Sequence, residues 1–377
     1  MKRRKKMKTK KLIALLLTFA MLFALCACGS KKAEPAPAAT TPAPAASTPA
    51  PAASTPAPAA PKTEADLLAE CKPIQITVGQ NDSGDIPAVK CTEEMLEAIT
   101  QRSDGKITFN YQNGGALGSY VEMIESMALG GLDMGILDPT LMTEYAPEYQ
   151  MLIQPFTIKD FAHFGKALDL PEVKGAEEAL AANNITVLDY YYCGFRAMCF
   201  TKKEVKTLAD CKGIIIRSPE ADIYMNTLTR LGMKPTPMAM GDMYTAMKQG
   251  VIEGAEPAAV GMDIYSLYEV CPYMLRSNHM FSFNSIVLGT KFWNSLPEVY
   301  RTIISEEAAK AAAKEKVDME ASEDGYFDKF KSYGCTINNW ANYQELVDLF
   351  APTWDEAAAK IGGNAAALLK GMKDAAN

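Results

Sequence analysis

Histidine is nearly absent. His163 and His279 are the only two in 377 residues, too few for a multi-histidine metal centre. No Gly-x-x-x-x-Gly-Lys phosphate loop, Gly-x-Ser-x-Gly nucleophile turn or His-Glu-x-x-His zinc helix occurs, and there is no Cys-x-x-Cys pair. Nothing calls for a metal or another cofactor. Long apolar runs are missing too. Only residues 12–25 approach a membrane span, and they fall short of the roughly 20 residues that cross a bilayer. A multi-span membrane protein is excluded. Positive charge is in deficit: 38 Lys and Arg stand against 45 Asp and Glu, a net charge of −7. Eight of the cations lie in residues 1–27, which hold no acid, so the chain without that segment carries −15. Such a chain is a poor non-specific nucleic-acid binder, because phosphates need clustered cations. An anionic ligand would have to be held by local positive groups, against the overall field. The 48% hydrophobic and 22% charged content is globular usage, and the length suits two folded domains.

The N-terminus reads as an export signal. A basic segment, 1–11, precedes the apolar run 12–25, which ends in small residues. The sequence Leu25-Cys26-Ala27-Cys28-Gly29 resembles the bacterial lipobox, with Leu25 at −3, Ala27 at −1 and the lipid-bearing cysteine at Cys28. Residues 1–27 are then a lipoprotein signal peptide. Residues 28–71 form a tether in which Ser-Thr-Pro-Ala-Pro-Ala-Ala repeats at 47–53 and 54–60. Proline and alanine at this density cannot build a core and favour extended polyproline II. Beyond Cys28, seven cysteines remain, at 71, 91, 193, 199, 211, 271 and 335. An exported domain of this size needs no disulfide staples, so they are expected to be mostly free and buried.

Strand and helix patterns then alternate. Strands are expected at 72–78, 106–111, 132–137, 185–192, 197–201, 214–217, 234–238 and 281–289. Helices are expected at 86–102, 119–129, 160–182, 220–231 and 241–249, with a long Ala-, Glu- and Lys-rich one at 297–320. This is an α/β pattern, which places ligands at the carboxyl ends of strands. Arg217 ends the apolar strand Ile214-Ile215-Ile216. Its planar fork suits both oxygens of a carboxylate, although an arginine so placed can also pair with a surface acid.

Several stretches, in order, resemble the substrate-binding proteins of TRAP transporters of the DctP type. They are Asn113-Gly-Gly-Ala-Leu-Gly118, Gly130-Gly-Leu-Asp-Met134, Gln154-Pro155-Phe156, Gly194-Phe195-Arg196, Asp210-Cys-Lys-Gly-Ile-Ile-Ile-Arg-Ser-Pro219, Leu231 to Met240, and Asp242 to Gly254. The resemblance covers roughly 72–350. It implies an α/β, two-lobed periplasmic-binding-protein-like fold with crossing hinge strands and a long helix spanning the lobes. Lobe I would take 72–193 and 283–322, and lobe II 194–282 and 323–377. It further implies a receptor, not an enzyme, that closes on a small carboxylate and loads it into TRAP membrane permease subunits.

By resemblance Arg217 is the main carboxylate clamp, and Arg196 contacts the ligand or braces the site. Glu256, Pro257 and Met240 are further candidate ligand contacts, and departures fall among them: relatives often carry asparagine in place of Pro257, and many have phenylalanine in place of Met240. Proline has no donor to offer, and methionine fills irregular space. Asn81 and Asp82, in the first strand's exit loop, and Asp138, at the end of strand 132–137, are candidates for the ligand's far end. Tyr190, Tyr191, Tyr192 and Tyr224 could stack on a ring. A lipid-anchored enzyme or a sensor ectodomain acting on a small anion are the alternatives. The expected location is the outer face of the cell membrane, held by Cys28. Replacing Cys28 with serine is expected to release the protein into the soluble fraction. Mass spectrometry finding an unlipidated native N-terminus upstream of residue 28 would contradict the anchor.

Overall fold

Ile76 and Val78 are fully buried, while Gln75 is exposed and Thr77 partly so, the alternation of a half-covered strand. The structure, a computed structural model, describes residues 62–376; Cys28, the signal segment and most of the tether lie outside them. Strand β1 (Ile74–Gln80) pairs in parallel with β2 (Ile107–Gln112) and β3 (Met134–Leu137). Two long strands complete this sheet: β4 (Ile185–Phe195) and β10 (Phe281–Gly289), in the order β2-β1-β3-β10-β4. All nine residues of β10 are buried, as expected of a strand covered on both faces. Its bounds match the expected 281–289.

Helix α1 (Glu64–Ala69) precedes this sheet, and α2 (Pro87–Arg102) and α3 (Tyr120–Leu129) connect its parallel strands. Ser119 and Glu122 form a capping box on α3, and Gly130 ends it at φ 84°, a conformation that suits glycine. After the short α4 (Tyr149–Leu152), the single helix expected over 160–182 is two: α5 (Phe161–Leu168) and α6 (Pro171–Ala182). Pro171 supplies the reason. It lacks an N–H and pushes the preceding residue out of the helical region, and Leu170 is extended.

The second sheet runs β11-β9-β5-β8-β6-β7. Its strands are short: β5 (Met198–Phe200), β6 (Ile215–Ser218), β7 (Lys234–Pro237), β8 (Gly254–Ala255), β9 (Tyr273–Arg276) and β11 (Thr336–Asn339). Around it lie α7 (Asp222–Arg230), α8 (Met243–Lys248) and α9 (Ala259–Ile264). A separate core of Met198, Phe200, Ile216, Leu228, Leu275 and Phe350 fills this lobe. The chain returns through α10 (Thr290–Ser295) and α11 (Glu298–Ser332) to α12 (Tyr343–Ile361) and α13 (Ala365–Ala375). The segment 323–377 divides between the lobes. Trp340, Leu346 and Phe350 join the second core, whereas α13 packs on α4, α5 and α6 of the first lobe. All seven cysteines of the described residues are free, and five are buried. No helix among these residues is long and apolar enough to cross a membrane.

The lobes meet where β4 passes into β5 and β9 into β10. Phe195 pairs with Phe281, and the Arg196 amide donates to the Met280 carbonyl at 2.9 Å. The pairing of β4 with β10 shifts register beside Ser282, and Gly194 adopts φ 81° there. Helix α11, 35 residues long and so about 50 Å at 1.5 Å per residue, packs on β4 and α2 at one end and on α9 and β11 at the other. It also carries two acids that serve this irregular stretch. Glu315 accepts from the Tyr192 amide at 2.7 Å and Glu323 from the Phe195 amide at 3.1 Å. Burial pushes Glu315 up to about 8 and Glu323 up to about 7.

A carboxyl whose folded pKa lies above its ordinary 4.5 binds its proton more tightly in the folded state. Stability is then greatest below the unfolded pKa and falls as pH rises toward the folded one. Glu315→Gln keeps an oxygen for the Tyr192 amide and cannot ionise. Its melting temperature is expected to exceed that of wild type increasingly as pH is raised from about 5 to about 8. A constant difference across that range would show that Glu315 does not titrate in the hinge.

Candidate functional site

Strand β6 enters the cleft at its carboxyl end, and the last residues of that apolar run deliver Arg217. Arg217 is 3% exposed. Its Nε donates to the Met238 carbonyl at 2.8 Å, and no acid of the described residues pairs with it. Burial pushes its pKa down to about 10; Glu256 pulls the other way and Arg196 adds to the fall. The group therefore stays charged at neutral pH. A buried guanidinium with its amino ends free of carboxylate is a place for an anion.

Arg196 sits where β4 becomes β5 and is spoken for. Its Nε and Nη2 donate to Glu256 at 2.6 and 2.7 Å, its Nη1 lies 3.4 Å from the Ser282 hydroxyl, and its guanidinium carbon stands 4.6 Å above the Tyr224 ring. Glu256 is fully buried and also meets His279 Nε2 at 3.1 Å. Burial would raise the Glu256 pKa, but Arg196 and His279 overcome it and hold it at about 2. Burial lowers the pKa of His279. The neutral ring then donates Nε2–H to Glu256 while Nδ1 faces the Ser277 hydroxyl at 2.7 Å.

The first lobe supplies acceptors. Beyond β1, Asp82 receives Asn284 Nδ2 at 3.1 Å and stands 3.4 Å from the Tyr120 hydroxyl. Asn284 Nδ2 also lies 3.3 Å from that hydroxyl. Burial pushes Asp82 up to about 6; its polar neighbours Gln80 and Tyr120 oppose this, and Asp138 adds to it. Asp138 accepts from the Thr140 amide at 2.8 Å, capping the 3-10 turn Pro139–Leu141. Burial raises its pKa too, against the pull of its own turn and of Arg196 and Arg217. Both acids keep some solvent contact but are hemmed in by protein, as befits groups on a cleft wall.

The expected site residues thus fall into groups. Asp138 lies near enough to Arg196, Arg217 and Asp82 for their charges to act on one another: both arginines lower its pKa, and it raises that of Asp82. Glu256 is a partner of Arg196 behind that region. Pro257 and Met240 pack against Gly261. Asn81 abuts the turn at Gly115. Tyr190, Tyr191 and Tyr192 belong to the first lobe's core, and Tyr224 borders the cleft. His279, Ser282, Asn284 and Thr140 join these groups in the fold without having been candidates from the sequence. Ser282 and Asn284 did carry a signal, as polar side chains within the otherwise apolar run 281–289. His279 carried none, since its link to Glu256 is made by folding alone. Among the described residues no cluster of three His, Cys, Asp or Glu could hold a metal.

Removing one member of a buried ion pair leaves its partner uncompensated, at a cost of about 3–5 kcal/mol. Glu256→Ala should therefore lower unfolding free energy by about that amount in urea titration. A loss under about 1 kcal/mol would mean that water reaches Arg196 readily.

Comparison with known proteins follows the same lines. The family model "Bacterial extracellular solute-binding protein, family 7" (DctP) matches residues 78–361. A solute-binding protein of Sulfitobacter sp. strain NAS-14.1 is 28% identical over 73% of this chain and 84% of its own length. Among solved structures, a TRAP periplasmic solute-binding protein from Bradyrhizobium sp. BTAi1, in complex with α/β-D-galacturonate, is 26% identical. It aligns with TM-score 0.75 over 80% of this chain and 100% of that one. The sugar acid binding protein of Advenella mimigardefordensis, in complex with galactonate, aligns with TM-score 0.77 at 24% identity, over 81% of this chain and 99% of that one.

Proposed function

The chain belongs to family 7 of the bacterial extracellular solute-binding proteins, the DctP family, and from that premise we propose that its ligand is a polyhydroxylated monocarboxylate, a uronic or aldonic acid. The protein is a binding protein of a transporter, not an enzyme: it takes a small organic acid in the interlobe cleft and delivers it to a TRAP permease. Export is consistent with the family. The anchor on Cys28 belongs to this proposal and rests on the lipobox-like Leu25-x-Ala27-Cys28.

One observation carries the ligand class. Arg217 is a buried cation without an acid partner, while the facing lobe presents Asp82, Asp138, Asn284 and the Tyr120 hydroxyl. A single carboxylate fits the arginine. The rest of the ligand then meets carboxylates, which accept hydroxyl donors and repel a second carboxylate. Arg196 is already neutralised by Glu256, so the cleft holds one uncommitted positive charge. The bound galacturonate of the Bradyrhizobium relative supports this reading.

A carboxylate entering the cleft loses several kcal/mol of hydration, and Arg217 has to replace it. Truncating one partner of such a pair costs about 2–5 kcal/mol, and each 1.4 kcal/mol is about tenfold in affinity. Titration calorimetry with D-galacturonate is expected to find Arg217→Ala weaker by about thirtyfold or more. Arg217→Lys keeps the charge but not the fork and should recover only part. Binding by Arg217→Ala within about threefold of wild type would remove it as the clamp.

A further inference from the structure

One buried side chain of the second lobe reaches the first lobe directly. Tyr224 lies on α7, which packs on β6 and β7. It is 1% exposed, and its hydroxyl stands 2.9 Å from the Thr140 hydroxyl. Thr140 belongs to the 3-10 turn after β3, a turn packed on α3, α4 and β10 of the first lobe. The two hydroxyls therefore come from opposite walls of the cleft. Each end of the contact is fixed by a group already placed in the site. The Thr140 amide is held by Asp138 at 2.8 Å, and the Tyr224 ring lies under Arg196 at 4.6 Å.

We propose that the Tyr224–Thr140 contact is an interlobe latch, with Tyr224 a positioning residue that sets how long a bound ligand is retained. The inference rests on the reading of the cleft as a closing carboxylate receptor. Neither hydroxyl has another side-chain partner in the structure. When the lobes part, both return to water, so the bond is made only in the closed form. A neutral hydrogen bond gained on closing shifts that equilibrium by about three- to tenfold. The free energy appears in release and not in encounter, because an arriving ligand meets the open cleft, where the bond does not yet exist. The aromatic ring has a second role. It presents a flat face to a guanidinium whose fork is occupied by Glu256, so a shift of Tyr224 on opening moves one support of Arg196. Closure and the charge arrangement of the cleft are thereby tied through one side chain.

Stopped-flow binding of D-galacturonate to four variants tests this. Tyr224→Phe keeps the ring over Arg196 and loses the hydroxyl. Thr140→Val keeps the shape of threonine and loses its hydroxyl. Each is expected to raise the dissociation rate by about three- to tenfold, with the association rate within about twofold. The double variant should be no faster to release than either single one, since both remove the same bond. Thr140→Ser restores a hydroxyl and should release at a rate near wild type, which a role in mere shape-filling would not produce. Unchanged dissociation in Tyr224→Phe, or a double variant whose effect is the product of the two single ones, would overturn the latch. Amide hydrogen exchange in the ligand-bound, closed form supplies a separate judgement. Residues 138–142 should exchange faster in Tyr224→Phe and Thr140→Val, and unchanged exchange counts against the proposal. If wild type fails to bind D-galacturonate, that ligand assignment fails, and release and exchange are measured instead with galactonate or D-glucuronate, whichever calorimetry finds wild type to bind, so the latch is still decided.

Discussion

The Arg196–Glu256 ion pair governs how charge is laid out in this protein. It lies where the first sheet hands the chain to the second, with bonds of 2.6 and 2.7 Å and a fully buried carboxylate. A pair in that position is costly to desolvate and costly to break, so it is held by Ser282 on one side and by His279 on the other. Its consequence is arithmetical. Two arginines enter the cleft, and one is cancelled. Of these two, Arg217 is left uncommitted, in a chain that carries −15 without residues 1–27. A receptor with both forks free would attract dianions; on the proposed reading this one is matched to one carboxylate.

The first lobe answers with acceptors. Asp82 and Asp138 push on each other and are both shifted upward by burial, and Asn284 and Tyr120 organise Asp82 by hydrogen bonds. On the proposed reading the two walls meet the two ends of a ligand differently: an anion on the strand-end arginine, hydroxyl groups on the acids. The irregular crossing between them is braced from behind. Glu315 and Glu323 of α11 occupy the amides of Tyr192 and Phe195, which the register shift in β4 leaves without regular partners. Buried amides need acceptors, and a long helix spanning both lobes can provide them without joining the sheet.

Much of this was legible in the residues. The apolar run 281–289 and the strand ending in Arg217 were placed within a residue by patterning, and the order of short motifs pointed to two lobes. What escaped has physical reasons. The two-residue β8 is too short for periodicity to register, and β11, Thr336–Asn339, has one apolar residue and so no apolar run to mark it. The break at Pro171 was visible as a residue, yet the apolar pattern continued through it. Glu256 was read as a ligand contact, and the fold instead gives both its oxygens to Arg196 and one also to His279. His279 could not be linked to it from the sequence, because 23 residues separate them and no local spacing rule connects them. Asn284 could have been found, since a polar side chain in a strand buried on both faces needs a partner.

The central claim is that one carboxylate binds Arg217 while Arg196 stays committed to Glu256. A crystal structure of the protein grown with D-galacturonate tests it most directly. The account predicts both carboxylate oxygens within about 3 Å of the Arg217 fork, the Arg196–Glu256 pair intact, and ligand hydroxyls on Asp82 or Asp138. A carboxylate seated away from Arg217, or an Arg196 that has left Glu256 to take it, would contradict it.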